Sequence, residues 1–148
     1  MTLPRTILVP VDFSAYSETA LDYAVDLAAK LDAKLYILHV IALPGLGVPE
    51  LGAALAPSII DSIVRDSETA LAKLADARRS KAQIADTLLR TGDARDVIIH
   101  TVGEIAADLI VMGTHGRHGV GRALLGSVAE SVVRTSPCPV LTIRGRKH

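Results

Sequence analysis

A short apolar run that opens into a glycine-rich loop is the tightest constraint on how this chain folds. Leu109-Ile110-Val111-Met112 follows Asp108 and stops at Gly113. Four apolar residues bounded by glycine suit a parallel strand buried on both faces. Glycines then recur at 113, 116, 119, 121 and 126, Ser127 follows the last of them, and an apolar periodic segment runs on to Val133. Strand, glycine-rich loop and helix in that order make an anion cradle. Exposed backbone N–H groups and the positive helix end face the same point. The loop carries Arg117, His118 and Arg122, and no acidic residue lies between Gly113 and Ser127. A phosphate-bearing ligand fits that balance. The spacing is neither Gly-x-Gly-x-x-Gly after a first strand nor the Walker pattern, which needs Gly-Lys-Ser/Thr.

The remaining chain alternates strands and helices. Residues 6–11 read as a first strand, in which Pro10 is discordant because it cannot donate a ladder hydrogen bond. That is tolerable where a central strand stops pairing on one side. Asp12 follows at the strand's carboxyl end, where open α/β sheets bind ligands. A turn or cap aspartate is the plainer reading of the same residue.

Residues 17–31 form the first helix, capped by Ser14 or Ser17, with Leu21, Ala24, Val25, Ala28 and Leu31 on one face. Tyr16 and Tyr23 are expected to be partly buried against the sheet. Residues 35–40 are the second strand, and its His39 reads as structural. Residues 41–57 hold Pro44, Gly45, Gly47, Pro49, Gly52 and Pro57 and read as a long connection suited to covering a pocket. A helix over 58–77 presents Ile59, Ile60, Ile63, Val64, Leu71, Leu74 and Ala75 inward. A strand over 83–89 and a helix over 96–107 follow, the latter burying Val97, Ile98, Val102, Ile105 and Ala106. The last helix is clearest over 128–135, and residues 140–143 are a short fifth strand.

Composition removes several function classes. Sixteen basic and sixteen acidic residues cancel, so no general nucleic-acid binder is indicated. The basic run at residues 78–81 reads as a solvated helix end. No apolar run reaches membrane-spanning length, and no charged and apolar leader pattern opens the chain. The single cysteine, Cys138 between two prolines, supports neither a disulfide framework nor a cysteine zinc cluster. A cytoplasmic protein with one domain over residues 1–148 is the expectation, with no membrane and no nucleic-acid partner.

The composite of residues 108–116, residues 125–130 and Pro137-Cys138-Pro139-Val140-Leu141 resembles the ATP-binding branch of the universal stress protein family across nearly the whole chain. The resemblance implies a three-layer Rossmann-like fold of the adenine nucleotide alpha hydrolase-like kind. Its sheet is open, parallel and five-stranded, in the order 3-2-1-4-5. It implies ligand contacts from Pro10, Val11 and Asp12, from Val40, and from Met112, Gly113, His115, Gly116 and Arg117. Gly126, Ser127 and Val128 complete the set. Adenine would lie near Asp12 and Val40, with the triphosphate of ATP over the glycines and Ser127. Mg2+ or Mn2+ would be held through phosphate oxygens, since no carboxylate pair marks a protein metal site.

The expected function is that of an ATP-binding, nucleotide-dependent regulator or stress-protection factor. It would pair as a homodimer through its carboxyl-terminal strand and act on an unknown regulatory protein partner. Two alternatives belong to other classes. One is a slow ATP hydrolase or nucleotidyl transferase using His115 or His118, for which no catalytic constellation is evident. The other is a nucleotide-free interaction module.

Overall fold

The computed structural model describes residues 2–42, 57–115 and 125–145. Five strands, β1 (Thr6–Pro10), β2 (Lys34–Ile41), β3 (Gln83–Thr91), β4 (Leu109–Gly113) and β5 (Val140–Ile143), alternate with helices α1 (Ala15–Leu31), α2 (Pro57–Asp76), α3 (Ala94–Ile105) and α4 (Ser127–Thr135). All pairs are parallel and the order is β3-β2-β1-β4-β5, as the resemblance implies. Successive strand residues face opposite sides, and two apolar cores result. Ile7, Val9, Leu35, Ile37 and Val111 pack with Leu21, Ala24, Val25, Leu71 and Leu74 of α1 and α2. Leu8, Leu38, Ile110 and Met112 pack with Ile98, Val102, Ala129 and Val132 of α3 and α4.

Pro10 marks where the sheet opens. Val11 donates its N–H to the Leu38 carbonyl, so odd-numbered residues here direct their backbone groups to β2. Position 10 therefore faces β4, yet β1 and β4 pair only at Ile7↔Leu109 and Leu8↔Ile110. No ladder bond is lost, because the strands have already parted. β1 ends at Pro10, one residue short of the expected Val11, although Val11 keeps its bond to β2. The opposite end of the same seam is tied by Asp108, whose carboxylate accepts from the Arg5 and Thr6 N–H groups at 3.0 Å.

Several local expectations are corrected. Tyr23 is half exposed on α1 rather than packed on the sheet. Ala106 is exposed, since it closes α3 in the left-handed conformation with φ 53°. On α2 only Leu71, Leu74 and Ala75 are buried, and Ile59 is exposed. The apolar stripe of that helix is longer than the sheet it covers among the described residues. Most of the long connection expected over residues 41–57 lies outside them. In the basic run at 78–81, Arg79 and Lys81 are exposed as expected, with Arg79 bonded to Asp76 at 3.0 Å, whereas the Arg78 side chain is largely buried and bonds Asp22 of α1 at 2.8 Å.

Helix α3 starts at Asp93, whose Oδ1 accepts from the Arg95 N–H at 2.9 Å. The Arg95 side chain, and then its backbone N–H, hold the Asp93 carboxyl below its ordinary 3.8, at about 2. A carboxylate depressed in the fold stabilises it above the unfolded value and loses that contribution as pH falls through the folded one. The Asp93–Arg95 pair is half exposed and adds little beyond the cap. Asp93→Ala is expected to cost about 1 kcal/mol near neutral pH, about 2–4 °C in Tm. The difference from wild type should close as pH is lowered from about 4 to below 2. Urea unfolding across that range checks it. A difference that stays constant with pH would contradict the ionised cap.

Candidate functional site

Where β1 and β4 separate, a cavity of about 340 Å³ opens at the carboxyl ends of the strands. Pro10, Val11 and Asp12 line it from β1, Leu38, Val40 and Ala42 from β2, and Met112 to His115 from β4. Gly126 to Ala129 close it from α4, with Ser17 of α1 and Ala94 of α3 at the margins. Ten residues expected from the sequence meet here: Pro10, Val11, Asp12, Val40, Met112, Gly113, His115, Gly126, Ser127 and Val128. Gly116 and Arg117 lie outside the described residues, as do His118 and Arg122.

The amino end of α4 forms one wall of the cavity. The first N–H groups of any helix have no partner within it. Ser14 caps α1 by accepting from Ser17 N–H, and Asp93 caps α3, whereas Gly126 caps α4 with no side-chain hydrogen bond. Gly126 is thus a cap and not a helix-interior residue, so the interior glycine penalty does not apply. Its φ of −68° is open to any residue, so the backbone conformation does not itself require glycine there. The Gly126 N–H is bonded to the Thr114 carbonyl at 2.6 Å, and the Thr114 N–H to the Ile143 carbonyl at 3.0 Å. Thr114 also places its hydroxyl 3.1 Å from Nδ1 of His115.

The other end of the cavity is built on Asp12. Its Oδ1 accepts from the Ser14 N–H at 3.0 Å, so the plain turn role is real and coexists with its place in the cavity wall. The Asp12 N–H donates to Ser17 Oγ at 3.2 Å, and that hydroxyl donates to the Ser14 carbonyl at 3.1 Å. Phe13 between them has φ 65°, a left-handed conformation that costs a bulky residue about 1–3 kcal/mol.

Six lining residues were not anticipated: Ser17, Leu38, Ala42, Ala94, Thr114 and Ala129. Leu38 was legible from alternation, two places before Val40 on one strand, and Thr114 from its position between two named residues. Ala42 and Ala94 carry no side-chain signal. Among the described residues no group of three or more His, Cys, Asp or Glu is placed to hold a metal ion. No described helix is long and apolar enough to cross a membrane.

Residues 4–144 match the universal stress protein family. A universal stress protein of Methanocaldococcus jannaschii is 33% identical over 146 residues, spanning 98% of this chain and 85% of that protein. The structure of universal stress protein UspA from Lactobacillus plantarum superposes with TM-score 0.81 at 27% identity, covering 97% of this chain and all of that one. A universal stress protein crystallised in complex with cAMP superposes with TM-score 0.69 at 25% identity, over 98% and 100% of the two chains.

Gly113 is required for space. A Cβ there would lie 3.2 Å from the backbone oxygens of both Tyr16 and His115, and backbone cannot swing aside as a side chain can. Gly113→Ala is expected to lower stability by about 1–3 kcal/mol. An unchanged urea midpoint would show that α1 and the 113–115 turn are not in contact as described.

Proposed function

The chain belongs to the universal stress protein family, and from that premise we propose that it is an ATP-binding, nucleotide-dependent regulator or stress-protection factor. One observation carries the reading. A carboxylate at the end of β1 and an uncapped helix N-terminus after β4 meet in one cavity at the point where the sheet order reverses. Asp12 accepts from the exocyclic amine of adenine, with Val40 along the base. The phosphates lie over Gly113, Gly126 and Ser127, with Gly116 and Arg117 completing the loop. His115 adds a polar ring at the phosphate end. The Ser127 hydroxyl and the N–H groups at the start of α4 donate to phosphate oxygens. Mg2+ or Mn2+ joins through the phosphates. The relative in complex with cAMP supports an adenine nucleotide as the ligand class. Binding and release suffice for regulation, and no step of this reading calls for hydrolysis.

Calorimetry with ATP, ADP, AMP and GTP, with and without magnesium, tests the reading. Saturable, adenine-selective binding is expected, and absence of binding to every adenine nucleotide would overturn it. Gly126→Val separates the phosphate cradle from the fold. Its backbone angles suit valine, so circular dichroism should be unchanged while ATP affinity falls at least about tenfold, the worth of one or more charge-assisted hydrogen bonds. A folded variant with wild-type affinity would remove the cradle assignment.

The homodimer belongs to the same proposal. β5 is a sheet edge, and paired edges of two copies satisfy each other's backbone groups across a two-fold axis. Ile110 N–H bonds the Pro139 carbonyl and Thr114 N–H the Ile143 carbonyl, so residues 139, 141 and 143 face β4. The Thr142 N–H therefore faces the open edge. Thr142→Pro should leave the fold intact and convert dimer to monomer in light scattering, whereas Leu141→Pro should also destabilise the sheet. Wild-type protein that stays monomeric at high micromolar concentration, with and without ATP, would remove the dimer.

A further inference from the structure

We propose that Phe13 and His39, on the sheet face opposite the cavity, are positioning residues that set the base selectivity of the nucleotide site. The proposal rests on the nucleotide reading above and adds what holds its base-reading carboxylate in place. His39 follows Leu38 and precedes Val40, both of which line the cavity, so its own side chain leaves the other face of β2. It is buried there, and its Nδ1 lies 2.8 Å from the Val11 carbonyl oxygen. A carbonyl only accepts, so Nδ1 carries the hydrogen. The same ring packs on Phe13 with centroids 4.3 Å apart. His39 thus grips both residues that flank Asp12, Val11 through its carbonyl and Phe13 through its ring.

The grip has a structural consequence. Phe13 keeps φ 65°, and a strained angle persists only where its surroundings over-determine it. Relaxation of residue 13 to negative φ would redirect the chain between Asp12 and Ser14. The Ser14 N–H would then leave Asp12 Oδ1, a bond now 3.0 Å long, and the carboxylate would lose its fixed aim. The phosphate end would feel this less, because its lining comes from Gly113, Thr114 and α4 and meets the 12–17 turn only where Gly113 packs on the Tyr16 backbone. Loss of the grip should therefore weaken recognition of the base and spare recognition of the phosphates.

Three variants test it: His39→Leu, which removes the donor; His39→Asn, which restores an N–H at the position of Nδ1; and Phe13→Gly, which accepts positive φ but has no ring to hold. Each is checked for folding by dichroism. Affinities for ATP, GTP and inorganic triphosphate are then measured, and amide exchange at Ser14 is followed by NMR without ligand. His39→Leu and Phe13→Gly are expected to bind ATP about tenfold more weakly, the worth of one charge-assisted hydrogen bond. The ATP-to-GTP preference should drop by the same factor, triphosphate affinity should hold, and Ser14 exchange should quicken. His39→Asn should recover the preference. If His39→Leu fails to fold, Phe13→Gly, at a partly buried position on the margin of the core, decides alone. Unchanged preference and unchanged Ser14 exchange would overturn the proposal, as would equal losses for ATP and triphosphate, which mark a merely structural role. Wild-type protein that ignores ATP removes the nucleotide reading itself. ATP binding with selectivity untouched by the variants removes only this proposal.

Discussion

The parting of β1 from β4 is the constraint on which the site depends. Two parallel strands pair at Ile7↔Leu109 and Leu8↔Ile110 and then separate. Their crossovers run to opposite faces, and among the described residues no third element fills the wedge between them. Every buried backbone group on the parting strands needs a partner or water. Pro10 meets that requirement by having no N–H to satisfy on the β4 side. At the other end of the seam, Asp108 fastens the Arg5 and Thr6 N–H groups. The strands are therefore clamped at one end and free at the other, and the opening that results is the cavity.

Much of this was legible from residue order. The run 109–113 and the glycines behind it named the fourth strand and the cradle. The apolar run of 35–40 and the stripes of 17–31 and 96–107 named the layers, the last of these helices being observed two residues earlier at each end. Asp12 was legible because it ends the first strand at the carboxyl edge of an open α/β sheet, where ligands bind, although its turn role to Ser14 is equally real. What stayed hidden is of a different kind. Ala42 and Ala94 line the cavity through placement alone, and a methyl group announces nothing. The left-handed Phe13 was hidden because aromatic residues rarely adopt positive φ, so no local preference points to it. The α2 stripe misled for the opposite reason: apolar periodicity reports which face is greasy, and not how much of its length another element covers.

Thr114 shows why a residue between two motif positions deserves a physical reading of its own. Its N–H holds the last residue of edge strand β5, and its carbonyl holds the cap of α4. Its hydroxyl meets His115. The edge strand and the cradle are therefore separated by one peptide unit. A shift of α4 toward a bound anion pulls on the same residue that anchors Ile143. Contiguity of this sort supplies a route for coupling. A coupling free energy exists only if the ligand or the edge partner distinguishes two positions of that residue.

The two ends of the cavity are made on different principles, and the difference bears on what a nucleotide sensor must do. At the base end a ring of hydrogen bonds through Asp12, Ser14 and Ser17 fixes one carboxylate, and a strained residue sits inside that ring. Preorganisation there lowers the ordering cost of binding and sharpens the distinction between bases. At the end proposed for the phosphates the lining is a glycine cap, a helix terminus and a hydroxyl, groups that suit an anion of any length. On the proposed reading, a site so divided would select the base and leave discrimination among mono-, di- and triphosphate to residues beyond the cap. The loop cations Arg117 and Arg122 and the ring of His118 stand in that stretch. On the same reading, discrimination by phosphate number falls to the charged residues of the sequence between Gly113 and Gly126.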